Sequence, residues 1–180
     1  MSSQWEYVDS SVKQKVTILR AAEHAESMAD RRPRQTTAAG QKANSVVPLD
    51  VTDSFRTGAK ALFHDGSRVL LIEEQRADGS TFWTLPGGGI RPAESLRTGL
   101  HRELGEELRC VAHVSGEVGH CLYRHRSRPD TVTHYTILRG TLLTAPDPNP
   151  GEGIIDYDWV DPEDPPKETL YPFQAIIEDY

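Results

Sequence analysis

Cysteine is nearly absent: Cys110 and Cys121 are the two in 180 residues. They lie in apolar-periodic stretches and form no C-x-x-C pair, which argues against a disulfide framework and a thiolate zinc site. Two buried free thiols in a reducing compartment are expected. Long apolar runs are missing too; none approaches the roughly 18 residues of a membrane span. The opening Met-Ser-Ser-Gln-Trp-Glu lacks the basic-then-apolar pattern of a signal peptide. The expected location is the cytoplasm, with no membrane partner. Bases are scarce towards one end: residues 145–180 hold ten acids against Lys167 alone. The whole chain carries 20 Lys and Arg against 27 Asp and Glu, a formal charge of −7. Such a chain lacks the broad basic face of a non-specific DNA binder, so no DNA partner is expected. The hydrophobic fraction, 37%, is low enough that part of the chain should be tail or long loop.

Residues 124–128 form a basic island, Arg124, Arg126 and Arg128 with His125 between them. It fits a small anionic ligand held at one spot. It fits equally an edge strand that arginine protects from aggregation. The length allows one domain with a sizeable core.

Residues 1–50 read as an N-terminal arm and 51–180 as the domain. In the arm, Val12, Val16 and Leu19 recur at helical spacing, so residues 11–29 suit a helix. Residues 35–47, rich in Thr, Ala, Ser and Gly, read as linker. A dimer contact, a lid and a dispensable tail all fit this arm. In the domain, 55–63 and 67–74 read as strands around a His64-Asp65-Gly66 turn. A short strand follows at 82–85, then the breaker Pro86-Gly87-Gly88-Gly89. Pro92 suits a first helical turn, and a helix is predicted over 93–108. Strands are predicted over 110–126, 131–143 and 154–160, a loop over 145–153, and a short helix over 171–179. Strands on both sides of a central helix imply a mixed sheet with helices packed on it, an α/β fold.

At about 100° per residue, Leu96, Leu100, Leu104 and Leu108 form one buried stripe. Glu103, Glu106 and Glu107 fall within an arc of about 100° beside it. Carboxylates one turn apart repel by a few tenths of a kcal/mol per pair, and placement at the edge of a core adds desolvation. A hard divalent cation, Mg²⁺ or Mn²⁺, would compensate, since oxygen ligands suit it. A solvated acidic face paired with Lys or Arg is the plainer account. The glycine loop before the helix lets backbone approach a ligand closely, although such loops also occur as plain turns.

The spacing continues beyond these residues. Gly88, Glu94, Arg102, Glu103, Leu104, Glu106 and Glu107 match in register the pattern G-x5-E-x7-R-E-U-x-E-E-x-G-U, with U a bulky apolar residue. Residues 88–110 thus resemble the Nudix box. Arg109 stands where that family has Gly, and Cys110 fills the last apolar place. Val69–Ile72 and Phe82–Gly88 resemble the family lead-in, and Trp159-Val160 its last strand, so the likeness covers about residues 55–175. It implies a Nudix-like α/β/α sandwich with the box helix packed on a mixed sheet.

The resemblance also implies roles. Glu106 and Glu107 match the principal metal ligands, and Glu103 a ligand or general base. The carbonyl near Gly88 often completes the metal shell. Glu94 and Arg102 match a pair that holds the loop against the helix. A further acid usually comes from the loop before the last strand; Glu152 is the choice, with Asp156 and Asp158 as rivals. Arg109, at the helix end, is expected to alter the helix exit or to pair with its last carbonyls.

The implied chemistry is hydrolysis of a diphosphate linkage by a pyrophosphohydrolase, in a nucleoside diphosphate derivative or a nucleoside triphosphate. The partner is then a small-molecule nucleotide. Metal ions would neutralise the diphosphate oxygens and position water, and Glu103 or Glu152 would take the proton. Arg124, Arg126 or Arg139 could hold a distal phosphate through forked hydrogen bonds. Trp83 and Tyr123 suit stacking on a base, though core packing suits Trp83 better. His101, His120, His125 and His134 read as surface or satisfied histidines. The proline that ADP-ribose enzymes carry after the box is not at its usual place: His125 stands there, and Pro129 comes late. A non-catalytic nucleotide-sensing module is the alternative, and the intact carboxylate set speaks against it. RNA decapping would want a wider basic surface. A homodimer is compatible with the family.

Overall fold

The computed structural model describes residues 53–179. The helix and linker expected in the arm lie outside these residues. Six strands and two helices follow in order: β1 (Ser54–Asp65), β2 (Arg68–Gln75), β3 (Thr81–Thr84), α1 (Leu96–Leu108), β4 (Ala112–Arg124), β5 (Thr131–Leu142), β6 (Ile154–Val160) and α2 (Tyr171–Glu178). The strand order is β3-β2-β1-β5-β4, with β6 pairing the other side of β2. β1 and β5 run parallel from Ser54↔Thr131 to Phe63↔Gly140, and the other pairings are antiparallel.

β1 and β2 pair only beside their turn, at His64↔Val69 and Asp65↔Arg68. Beyond that point they part, because the glycine loop takes the edge of β1. Ala61 N donates to Pro86 O at 2.8 Å, Ala59 N to Gly88 O at 3.0 Å, and Ile90 N to Thr57 O at 2.9 Å. A breaker sequence is thereby pinned along the edge of β1, and these three backbone donors are satisfied.

Side-chain alternation along β1 feeds two cores. Ala59, Ala61 and Phe63 pack with Leu100, Leu104 and Leu108 of α1. Leu62 packs on the opposite face with Leu71, Ile137, Phe173 and Ile177, under α2. The result is an α/β/α sandwich. The stripe predicted for α1 is buried at Leu100, Leu104 and Leu108, each fully inaccessible, and partly buried at Leu96.

The start of α1 differs from the expected one. The helix begins at Leu96, not Ala93, because Ser95 is its N-cap and accepts from Thr98 N. Ala93 has a φ of 69°, outside helical space, so Pro92 belongs to the loop. The loop expected over 145–153 contains one 3₁₀ turn, Pro150–Glu152, capped by Asn149.

Candidate active site

The site grows from the contact between the glycine loop and the last turns of α1. Gly87, at φ 114°, directs its N–H to Glu107 Oε2 at 2.6 Å. A Cβ there would stand 2.5 Å from Ala59 O and 2.7 Å from Leu100 Cδ1, so only glycine fits. At Gly88 a Cβ would stand 2.7 Å from Glu103 Oε2, which puts that carboxylate against bare backbone.

Glu107 is buried, 9% exposed. Burial pushes its pKa up to about 7, against the opposing effects of Lys60 and the Gly87 N–H. Lys60 is itself buried on β1, with its ammonium 5.6 Å from the Tyr135 ring and 5.7 Å from the Phe173 ring. Glu74 of β2 is also pushed up by burial, partly offset by Lys60.

Arg102 ties the neighbouring acids together. It donates to Glu94 through Nε at 2.8 Å and Nη2 at 3.0 Å, to Glu103 and Glu106 through Nη1 at 2.8 Å each, and to Gly89 O at 2.9 Å. The hydrogen bonds from Arg102 and from the Arg91 N–H hold the Glu94 carboxyl down at about 2. Arg91 adds a second contact to Glu106 at 3.2 Å.

Glu103, Glu106 and Glu152 line one open cleft of about 850 Å³, together with Arg56, Gly89 and Arg91. The elements that bring Glu152 there start at Arg109. This residue takes the left-handed conformation, φ 45°, that a C-terminal glycine would. Its guanidinium does not return to the helix carbonyls, as one expected alternative had it. It reaches Asp147 at 2.9 Å and Asn149 Oδ1 at 2.7 Å in the following loop. The loop in turn caps the helix: Asp147 N donates to Leu108 O at 2.8 Å, Asn149 N to Glu107 O at 2.9 Å, and Asn149 Nδ2 to Glu106 O at 2.8 Å. Glu152 follows within one turn. Its rivals Asp156 and Asp158 stand exposed on β6 and do not line the cleft.

The residues expected to hold a distal phosphate are placed otherwise. Arg124 is bound to Asp53 through both nitrogens, at 2.6 Å each, and to Pro129 O. It braces the start of β1 and lines neither the cleft nor a smaller cavity beside it. Arg126 and Arg139 are exposed and line neither. Trp83 packs on the α2 core and exchanges backbone hydrogen bonds with Glu168 and Leu170, away from the cleft. His101 is exposed, and His120 stacks on His134 at 5.0 Å. Cys110 and Cys121 are buried free thiols, as expected. Sequence reasoning passed over Arg56, Lys60, Arg91 and Asn149. Lys60 had a readable signal, a lone cation inside an apolar strand. The others act through contacts distant in sequence.

The oxygen donors Glu103, Glu106, Glu107, Glu152 and the Gly88 carbonyl suit Mg²⁺ or Mn²⁺ by chemistry. As they lie, no three acid, imidazole or thiol groups among the described residues stand close enough to hold an ion. Glu103 and Glu106 are drawn to Arg102 instead. A buried carboxylate such as Glu107, with its affinity for protons raised, is still the kind of group a cation stabilises.

Comparison with known proteins identifies the class. The NUDIX domain profile matches residues 54–179. The chain therefore belongs to the Nudix family. An RNA pyrophosphohydrolase of Teredinibacter turnerae is 43% identical over 58 residues, 32% of this chain and 33% of that protein. The match thus spans about a third of that curated relative. Among solved structures, a MutT protein from Methanosarcina mazei Go1 superposes with a TM-score of 0.63 at 20% identity, covering 72% of this chain and 95% of that one. A MutT NUDIX hydrolase from Burkholderia pseudomallei gives 0.58 at 20% identity, covering 70% and 98%. These likenesses establish the fold. Among the described residues no helix is long and apolar enough to cross a membrane.

Proposed function

We propose that the protein is a Mg²⁺- or Mn²⁺-dependent pyrophosphohydrolase. Its substrate is a nucleoside diphosphate derivative or nucleoside triphosphate, cut to a nucleotide and a phosphorylated product. The observation that carries this reading is Glu107: a carboxylate buried under the Gly87-Gly88 backbone, beside a cleft lined by Glu103, Glu106 and Glu152. A merely solvated acidic face would not bury one of its members. The family and the name of the Teredinibacter turnerae relative agree with it.

Glu106, Glu107 and Glu103 would hold the ion, with Glu152 and the Gly88 carbonyl completing its surroundings. Held there, the ion would supply charge to neutralise a diphosphate and to lower the pKa of a water. Glu103 lies against Gly88 at the mouth of the cleft, where its carboxylate oxygen can take the proton of the attacking water as the bridging P–O bond breaks. Glu152 can serve the same role from the opposite loop. Arg102 keeps Glu94 and Gly89 together and so fixes the loop on which these groups converge.

The test is a phosphate-release screen with Mg²⁺ over triphosphates, nucleotide sugars, ADP-ribose and dinucleoside polyphosphates, with phosphatase coupling, beside Glu107→Gln. Turnover that collapses in the variant supports the proposal. Silence across the panel with metal binding intact replaces it with a nucleotide-sensing module.

A further inference from the structure

A smaller cavity of about 190 Å³ adjoins the acidic cleft and shares Arg56 and Gly89 with it. Its other lining residues are His125, Ser127, Arg128 and Tyr135. No acid lines it, whereas Glu94, Glu103, Glu106 and Glu152 line the cleft next door. The basic island is therefore divided by the fold. Arg124 is spent on Asp53, Arg126 lines neither cavity, and Arg128 with His125 lines the smaller one.

Arg56 enters from β1, where it stands in register with Thr133 of β5. Its guanidinium lies directly over Gly89: a Cβ on that glycine would meet Arg56 Nη2 at 2.7 Å. Arg128 comes from the β4–β5 turn, whose backbone is closed by Arg128 N to His125 O at 3.0 Å and Thr131 N to Arg128 O at 3.1 Å. The turn conformation therefore does not depend on the Arg128 side chain. The wall between the two arginines is hydrogen-bonding and uncharged. His125 Nε2 is 3.1 Å from the Tyr135 hydroxyl, and the ring is fixed edge-on to Tyr123 at 4.6 Å. Burial, with Lys60, lowers the pKa of His125, and burial raises that of Tyr135, so both are neutral near pH 7. The charge of the cavity comes from its two guanidinium groups, which suit a multivalent oxyanion through forked hydrogen bonds.

We propose that this cavity is an oxyanion subsite in which Arg56 and Arg128 hold the terminal phosphate of the substrate, so that the preferred substrate is a nucleoside triphosphate rather than a nucleotide sugar with a neutral outer group. The substrate half of this inference rests on reading the adjoining cleft as the place of cleavage. The linings support it: the cleft has glutamates that suit a cation beside its arginines, whereas the smaller cavity has Arg56 and Arg128 with no acid to compete for an anion.

Two measurements separate the subsite from the hydrolase reading. The first titrates inorganic tripolyphosphate into the full chain by calorimetry without added divalent ion, for wild type, Arg56→Gln/Arg128→Gln, and Arg68→Gln as a surface control. We expect binding that weakens at least about ten-fold in the double variant, the loss of a charge-assisted contact, and holds in the control. Equal affinity in double variant and wild type overturns the subsite. The second compares kcat/KM for a nucleoside triphosphate with that for a nucleotide sugar, with Mg²⁺. Their ratio should fall at least about ten-fold in the double variant, carried by KM. An unchanged ratio overturns the subsite and leaves the hydrolase standing. Arginine-dependent binding of tripolyphosphate without turnover of any substrate leaves the subsite standing and removes the hydrolase.

Discussion

Replacing Arg109 by glycine restores the residue that the Nudix box carries there, and the structure says what this should do. Arg109 is left-handed at φ 45°, a conformation that costs a residue with a Cβ about 1–2 kcal/mol. Glycine removes that cost. It also removes the Asp147 ion pair, whose partners are 47% and 67% exposed, worth about 0–1 kcal/mol. The hydrogen bond to Asn149 Oδ1 goes as well, worth about 1 kcal/mol. The terms nearly cancel, so Arg109→Gly should change stability by less than about 1 kcal/mol. Arg109→Ala loses the same contacts and keeps the strain, so it should be about 1 kcal/mol less stable than the glycine variant. Chemical denaturation of the three proteins side by side reads this difference. The loop stays docked in both variants through Asp147 N, Asn149 N and Asn149 Nδ2 on the helix carbonyls. Glu152 therefore stays in place, and kcat/KM should fall by less than about ten-fold. An alanine variant as stable as the glycine variant would refute the strain argument. A collapse of activity in Arg109→Gly at unchanged stability would show that the guanidinium, and not the capping backbone, holds the loop.

Glu107 makes the metal-free protein pH-sensitive. Its folded pKa of about 7 lies above the ordinary carboxylate value of 4.5, so its contribution is full below pH 4.5 and is lost as pH rises through 7, by up to about 3 kcal/mol. Urea melts from pH 5 to 8 without divalent ion should show a steeper decline in wild type than in Glu107→Gln, where the raised Glu74 still contributes; equal slopes contradict the burial argument. Glu94 runs the other way. Its depressed pKa means that its pairing with Arg102 contributes above pH 4.5 and is lost only as pH falls towards 2, which carboxylate NMR titration reads directly. Gly87→Ala should destabilise by more than about 3 kcal/mol, because a Cβ meets the Ala59 carbonyl and Leu100 at a positive φ; a stable, active variant would show that the loop can move off β1. At Gly88→Ala the nearest atoms to the new Cβ are those of the movable Glu103 carboxylate, so the expected outcome is a folded protein with reduced kcat, measured at saturating substrate.

The parts legible in the sequence are those governed by periodicity. The leucine stripe of α1 and the strands over 55–63 and 154–160 depend on neighbours close in sequence, and each appears where the sequence puts it. The box pattern likewise brings Glu103, Glu106 and Glu107 to one side of one helix. What spacing could not convey is which partner each charge finds across the fold. Strand alternation alone would put Arg124 and Arg126 on one face, yet β4 ends at Arg124, and the partner of that residue, Asp53, lies 71 positions earlier. Arg128, which nothing in the spacing singles out, is the arginine of the island that lines a cavity. The parallel pairing of β1 with β5 decides this, because it brings the turn after β4 alongside Arg56 at the beginning of β1. The same pairing leaves the other edge of β1 to the glycine loop, which sets Gly89 between the two cavities and Glu103 at the mouth of the cleft. One non-local pairing thus sets the cleft with its glutamates beside the cavity that has no acid. A substrate whose charge is spread along its length can meet both at once, and a substrate charged at a single point cannot.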